Sequence, residues 1–141
     1  MRTTVGILSL LAIAAFAGCS SDDAVVNPDP APMTVRVNVD TSPVGCGTNV
    51  YWVSSPDGMS GQMLNMTSSG ASTPELVPTG TMISVQADID CAVPGSHGGI
   101  DAAVQVMVNG TWQDAPVSGT NTCNIADGPG GCVVQFTSQL S

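Results

Sequence analysis

"MTVRVNVD", residues 33–40, is the stretch on which the fold of this chain turns. Met33, Val35, Val37 and Val39 alternate with Thr34, Arg36, Asn38 and Asp40. Side chains of an extended strand point alternately to opposite faces, so one face of this segment is apolar and the other polar. That is the signature of a half-buried β-strand.

The same period recurs downstream. "NVYWVS" at 49–54 is β-branched and aromatic, and "GQMLNM" at 61–66 reads as a further short strand. "TMISVQADI" at 81–89 places Ile83, Val85, Ala87 and Ile89 opposite Met82, Ser84, Gln86 and Asp88. "AAVQVMVNGTWQDA" at 102–115 predicts a hairpin, because Asn109-Gly110 suits a type I′ turn. "CVVQFTS" at 132–138 supplies a last strand. No stretch carries a sustained helical stripe, and glycine and proline interrupt the chain at short intervals. The pattern predicts an all-β fold, an antiparallel β-sandwich that is immunoglobulin-like in the loose sense, with a partly open barrel as the alternative. The order Cys46, Trp52, Cys91 repeats the immunoglobulin order only in outline, since Trp52 follows Cys46 by six residues.

Upstream of Met33 the character changes. "SSDDAVVNPDPAP" from Ser20 to Pro32 has no periodicity and three prolines, the composition of a semi-rigid, extended tether. Before it, Met1-Arg2-Thr3-Thr4 precedes thirteen almost wholly apolar residues from Val5 to Ala17. At 1.5 Å per residue such a run reaches about 20 Å, short of a hydrocarbon core of about 30 Å. A basic start, a short apolar run and small residues before a break describe a secretory signal peptide.

"FAGC", residues 16–19, resembles the lipobox of bacterial lipoproteins, with Phe16 in place of the usual leucine. The resemblance implies cleavage after Gly18, lipidation of the Cys19 thiol and acylation of the new amino group. Several acyl chains anchor a protein firmly without a spanning helix. Ser20 after the cysteine resembles the signal for export to the outer membrane, and Asp22-Asp23 resembles the acidic surface-export tags of some lipoproteins. The expected organisation is a signal peptide at 1–18, a lipidated cysteine with its tether at 19–32 and a folded domain at 33–141. A second resemblance links "GTMISVQADI" and "VQVMVNGTWQ" to the small β-sandwich domains of mycobacterial MmpS proteins, accessory partners of lipid exporters. The lipobox and the extra cysteines depart from that family, and no residue role is carried over.

Five cysteines are an odd number for a secreted chain. Lipidation of Cys19 leaves Cys46, Cys91, Cys123 and Cys132, an even set suited to an oxidising compartment. Of three possible pairings, Cys123–Cys132 is favoured because "CNIADGPGGC" is rich in turn residues, and Cys46–Cys91 follows. The four lack the paired spacing of structural zinc sites.

Composition limits the partners. Only 9% of residues are charged, the net charge is -9, and the basic side chains are Arg2 and Arg36, with no lysine. Nucleic acid is excluded as a partner, because phosphate binding needs clustered cations. Candidate sites are few. Met59, Met63 and Met66 form a thioether cluster that would suit Cu(I), with His97 as a possible nitrogen ligand, although methionine also fills core gaps. Asp88, Asp90, Asp101 and Asp127 are candidate calcium ligands or solvated turn residues. Tyr51, Trp52 and Trp112 could pack inside or meet a sugar or protein surface. A single histidine beside Ser96 makes no triad. The expectation is a non-catalytic envelope lipoprotein without cofactor. It is held to the membrane through Cys19, and its domain meets an envelope protein or surface ligand. The alternative is a copper- or calcium-handling lipoprotein.

Overall fold

The computed structural model describes residues 30–56 and 58–141. The signal peptide expected at 1–18, the lipidation expected at Cys19 and the expected tether as far as residue 29 lie outside the described residues. Eleven strands follow Pro32: β1 (Met33–Thr41), β2 (Cys46–Ser55), β3 (Ser60–Met63), β4 (Gly70–Ala71), β5 (Glu75–Val77), β6 (Met82–Cys91), β7 (Gly98–Val108), β8 (Thr111–Asp114), β9 (Val117–Thr120), β10 (Thr122–Ile125) and β11 (Gly130–Gln139). They form two antiparallel sheets, the sandwich that the alternation implies.

The first sheet centres on β1 paired with β7. The short β4 and β5 share the outer edge of β1, and β8 and β10 share that of β7. The second sheet runs β3-β2-β6-β11-β9. Its three long strands pair over almost their whole length, Cys46–Ser55 against Met82–Cys91 and Gly130–Gln139 against the same strand. The inward residues of both sheets meet in a core of small β-branched side chains. Val35, Val37 and Val39 of β1 face Ile83, Val85, Ala87 and Ile89 of β6, and all seven are buried. Phe136 is the largest buried side chain. Valine suits this role, since its stiff χ1 packs well on a pleated surface. Burying each such side chain contributes about 1.5–3 kcal/mol.

The hairpin at residues 109–110 forms as the Asn-Gly pair predicts, with φ of 51° at Asn109 and 80° at Gly110. The strand expected at 61–66 is shorter than its apolar pattern. β3 ends at Met63, and Asn65 takes a left-handed φ of 49° while Met66 N–H donates to the Thr48 carbonyl. The strands β4, β5, β9 and β10 were not expected. Each has two to four residues, too few for a period to register.

The segment after the hairpin weaves between the sheets. β8 pairs with β7, β9 crosses to β11, and β10 returns to β7. Gly119 lies hard against β11 at φ 120°, where a Cβ would meet the Gln135 carbonyl oxygen at 2.5 Å. Only glycine lets β9 approach so closely.

Both expected disulfides form, Cys46–Cys91 and Cys123–Cys132. The immunoglobulin outline fails at the first of them. Cys46 and Cys91 are direct register partners on adjacent strands of one sheet, whereas the immunoglobulin bridge joins two sheets. Here the inter-sheet bridge is Cys123–Cys132, from β10 to β11. Trp52 stands six residues along β2 from Cys46, about 20 Å at strand rise, and packs beneath Gly61 of β3 instead.

Candidate functional site

The two strands that flank β6 bring a single row of side chains together on the outer face of the second sheet. Tyr51 opposes Gln86, Gln86 opposes Gln135, Gln62 lies beyond Tyr51 and Thr120 beyond Gln135. One pleat along, Ser60, Val53, Ser84, Thr137 and Ser118 form a parallel row. With strands about 4.8 Å apart, each row spans about 19 Å. None of the ten side chains is charged. The side-chain hydrogen bonds of this sheet lie elsewhere, at Thr48, Asn49, Asp88 and Ser138. Among the described residues none engages these ten. Tyr51 is 40% exposed and Val53 56%. Along the middle strands a shallow open groove of about 380 Å³ runs past Tyr51, Val53, Gln86 and Gln135.

The outer face of the first sheet has a different chemistry. Arg36 lies over the Trp112 ring, 4.2 Å from its centroid. Its Nε donates to Gln105 Oε1 at 2.9 Å, and Gln105 Nε2 donates to Asp114 Oδ1 at 2.8 Å. Farther along, Asp40 and Asp101 are direct cross-strand neighbours beside an open hollow of about 360 Å³. Burial first, and then the negative charges of Asp40 and Asp114, raise the Asp101 carboxyl above its ordinary value. Asn121 Nδ2 donates to Asp101 Oδ1 at 3.4 Å.

The candidates for metal binding are dispersed. Met59 is in the core at 1% exposure, and Met63 and Met66 pack against that core. Met63 is paired with Val50 in the middle of β2, whereas His97 is exposed and bridges to Val44 before that strand begins. The thioethers and the imidazole are not brought together. Asp88 and Asp90 alternate outward on β6 of the second sheet, and Asp101 outward on β7 of the first. They therefore stand on opposite outer faces of the sandwich. Asp88 accepts a hydrogen bond from Asn49 Nδ2 at 3.1 Å, and Asp127 accepts one from Gly95 N–H at 3.0 Å. Among the described residues no three histidine, cysteine, aspartate or glutamate side chains converge.

The aromatics divide as alternation requires. Tyr51 points outward, Trp52 inward and half-buried, and Trp112 outward beneath Arg36. The glutamine row was missed in the sequence. Gln86 and Gln135 sit visibly at polar positions of "TMISVQADI" and "CVVQFTS", but nothing local says that β6 and β11 pair in that register. In the comparisons with known proteins, no family model, curated protein or solved structure matches the chain.

Proposed function

We propose that this chain is the precursor of a small envelope lipoprotein whose β-sandwich is a non-catalytic binding module displayed from an acylated Cys19. The cysteine arithmetic carries the reading. Two disulfides take up Cys46, Cys91, Cys123 and Cys132, which leaves Cys19 as the one thiol in an otherwise closed set. Disulfides of this kind form in oxidising, extracytoplasmic compartments, where a lipobox-like "FAGC" has its meaning. The apolar run ending at Ala17 supports export, and Ser20 supports an outer-membrane destination. The binding role draws support from the open, unpartnered face around Tyr51.

Intact mass and fractionation test the anchor together. The protein from its own membranes is expected to begin at Cys19, carry acyl mass and lack four hydrogens. Cys19→Ser is expected to move the protein into the soluble fraction. Continued membrane retention of that variant, or a mature chain that still begins at Met1, would defeat the proposal.

A further inference from the structure

We infer that Asn109 is a site of self-modification: the Gly110 backbone nitrogen attacks the Asn109 side-chain amide, ammonia leaves, and water opens the resulting ring to aspartate and isoaspartate at position 109. The inference goes beyond the binding-module reading and does not depend on the lipid anchor.

Such a reaction needs a free electrophile, a free nucleophile and room between them, and the β7–β8 turn supplies all three. Asn109 and Gly110 are both exposed. Among the described residues no hydrogen bond engages the Asn109 amide or the Gly110 N–H. A Cβ built at Gly110 would meet nothing within 4 Å, and glycine itself puts no side chain in the way of the attack. Asn38, Asn49, Asn65, Asn121 and Asn124 each precede a residue that carries a side chain. Asn49 and Asn121 also have their amides held, by Asp88 at 3.1 Å and by Asp101 at 3.4 Å. The turn is free to flex as well. β8 has four residues and pairs with β7 only, and a hairpin tip of that kind opens locally at small cost in free energy. The chain can therefore leave its resting φ angles of 51° and 80° and bring nitrogen and carbonyl carbon together while the sandwich stays folded.

The atoms balance with water as the only co-reactant. A bond forms between Gly110 N and Asn109 Cγ as the Cγ–Nδ2 bond breaks, and the Gly110 amide proton departs with Nδ2 as ammonia. Water then adds to one of the two ring carbonyls, its hydroxyl going to the carbon and its hydrogen to the ring nitrogen. Opening at Cγ leaves aspartate in an ordinary chain. Opening at the Asn109 main-chain carbonyl leaves isoaspartate, whose backbone is one carbon longer. Either product adds a negative charge at the tip. A two-residue turn fixes the register of its strands, here Val108 against Thr111 and Met107 against Trp112. The longer isoaspartyl backbone breaks that register and draws Trp112 from its place 4.2 Å beneath Arg36.

The test ages the full chain, both disulfides formed, at physiological temperature and at neutral and mildly alkaline pH. Peptide mass mapping follows every asparagine, and an isoaspartyl methyltransferase labels isoaspartate. Asn109 is expected to convert first, to both products, and faster at the higher pH, because the attacking nitrogen must lose its proton. Hydroxylamine, which cleaves the ring intermediate, is expected to cut the ageing chain between residues 109 and 110. Gly110→Ala is expected to slow conversion about tenfold, a barrier higher by about 1.4 kcal/mol. Alanine strains the turn at a φ of 80°, so circular dichroism verifies that this variant folds, and the hydroxylamine cut tests the parent without any variant. The isoaspartyl fraction is expected to lose near-ultraviolet tryptophan signal relative to fresh protein. An Asn109 that stays intact after the urea-unfolded chain has converted would overturn the inference. A parental rate in Gly110→Ala, or conversion with no hydroxylamine cut, would do the same. An unchanged tryptophan signal in the isoaspartyl fraction would overturn the shift of register.

Discussion

The outer faces of the two sheets have the same backbone geometry, but the rows at Arg36 and at Tyr51 differ in habit. On the first, Arg36 is stacked on Trp112 and bonded to Gln105, which is bonded in turn to Asp114. That network links four side chains across three strands. On the second, Tyr51, Gln62, Gln86 and Gln135 lie side by side, and among the described residues none forms a side-chain hydrogen bond. The difference lies in charge. An arginine placed among a tryptophan, an amide and a carboxylate finds partners within its reach. A row of neutral amides on neighbouring strands gains little from mutual pairing over pairing with water. A row that pairs internally adds to the stability of the fold, and one that does not keeps its groups solvated.

The largest expected effects touch what both faces share. Cys46–Cys91 and Cys123–Cys132 close loops of 45 and 9 residues in sequence separation. In the chain-entropy model their loss costs about 4 and about 3 kcal/mol respectively. Serine replacements of each pair, compared by urea denaturation, should therefore lower stability in that order and weaken both faces together. A variant lacking Cys46–Cys91 that is the more stable of the two would show that the inter-sheet bridge matters more than loop length.

Next in size is the row at Arg36. Arg36→Ala is expected to cost about 1 kcal/mol, from the cation–π contact and the hydrogen bond to Gln105. A double-mutant cycle with Trp112→Ala isolates the stacking, and a coupling of zero would show that the contact is geometric only. The same comparison predicts that Tyr51→Ala, which breaks no internal hydrogen bond, leaves stability within about 0.5 kcal/mol of the parent.

The smallest effect concerns Asp101. Folding raises its pKa through burial and the charges of Asp40 and Asp114, so the folded chain holds this proton more tightly than the unfolded one. Stability attributable to Asp101 is therefore lost as pH rises from the unfolded value through the folded one. Asp101→Asn should be more stable than the parent at neutral pH by less than about 1 kcal/mol, since the group is exposed and screened. The gain should vanish once the pH falls below the carboxylate range. Urea midpoints at neutral and acid pH check both statements, and a destabilised variant at neutral pH would mean that the Asn121 contact outweighs the repulsion.

Legibility in the sequence followed locality. The core of β1 and β6 could be read residue by residue, because inward and outward positions alternate along each strand whatever its neighbours are. The Asn109-Gly110 turn was equally legible, since positive φ at two successive residues is a property of those residues. The disulfide across "CNIADGPGGC" was legible for the same reason. By contrast, β9 and β10 are defined by where β11 and β7 already stand, and four residues carry no period of their own.

What the amino-acid sequence determined alone was an all-β chain with valine inside, an even set of four disulfide cysteines and an acidic, lysine-free surface. Each of these follows from backbone geometry or residue chemistry within a few positions. Tertiary structure alone decided that Cys46 and Cys91 share a sheet while Cys123 and Cys132 join two. It also sent Asp88 and Asp101 to opposite outer faces, and set Gln86 and Gln135 in line with Tyr51. Those facts depend on which strands are neighbours and in what register. Core packing and loop closure settle that over the whole chain, and no short stretch encodes it.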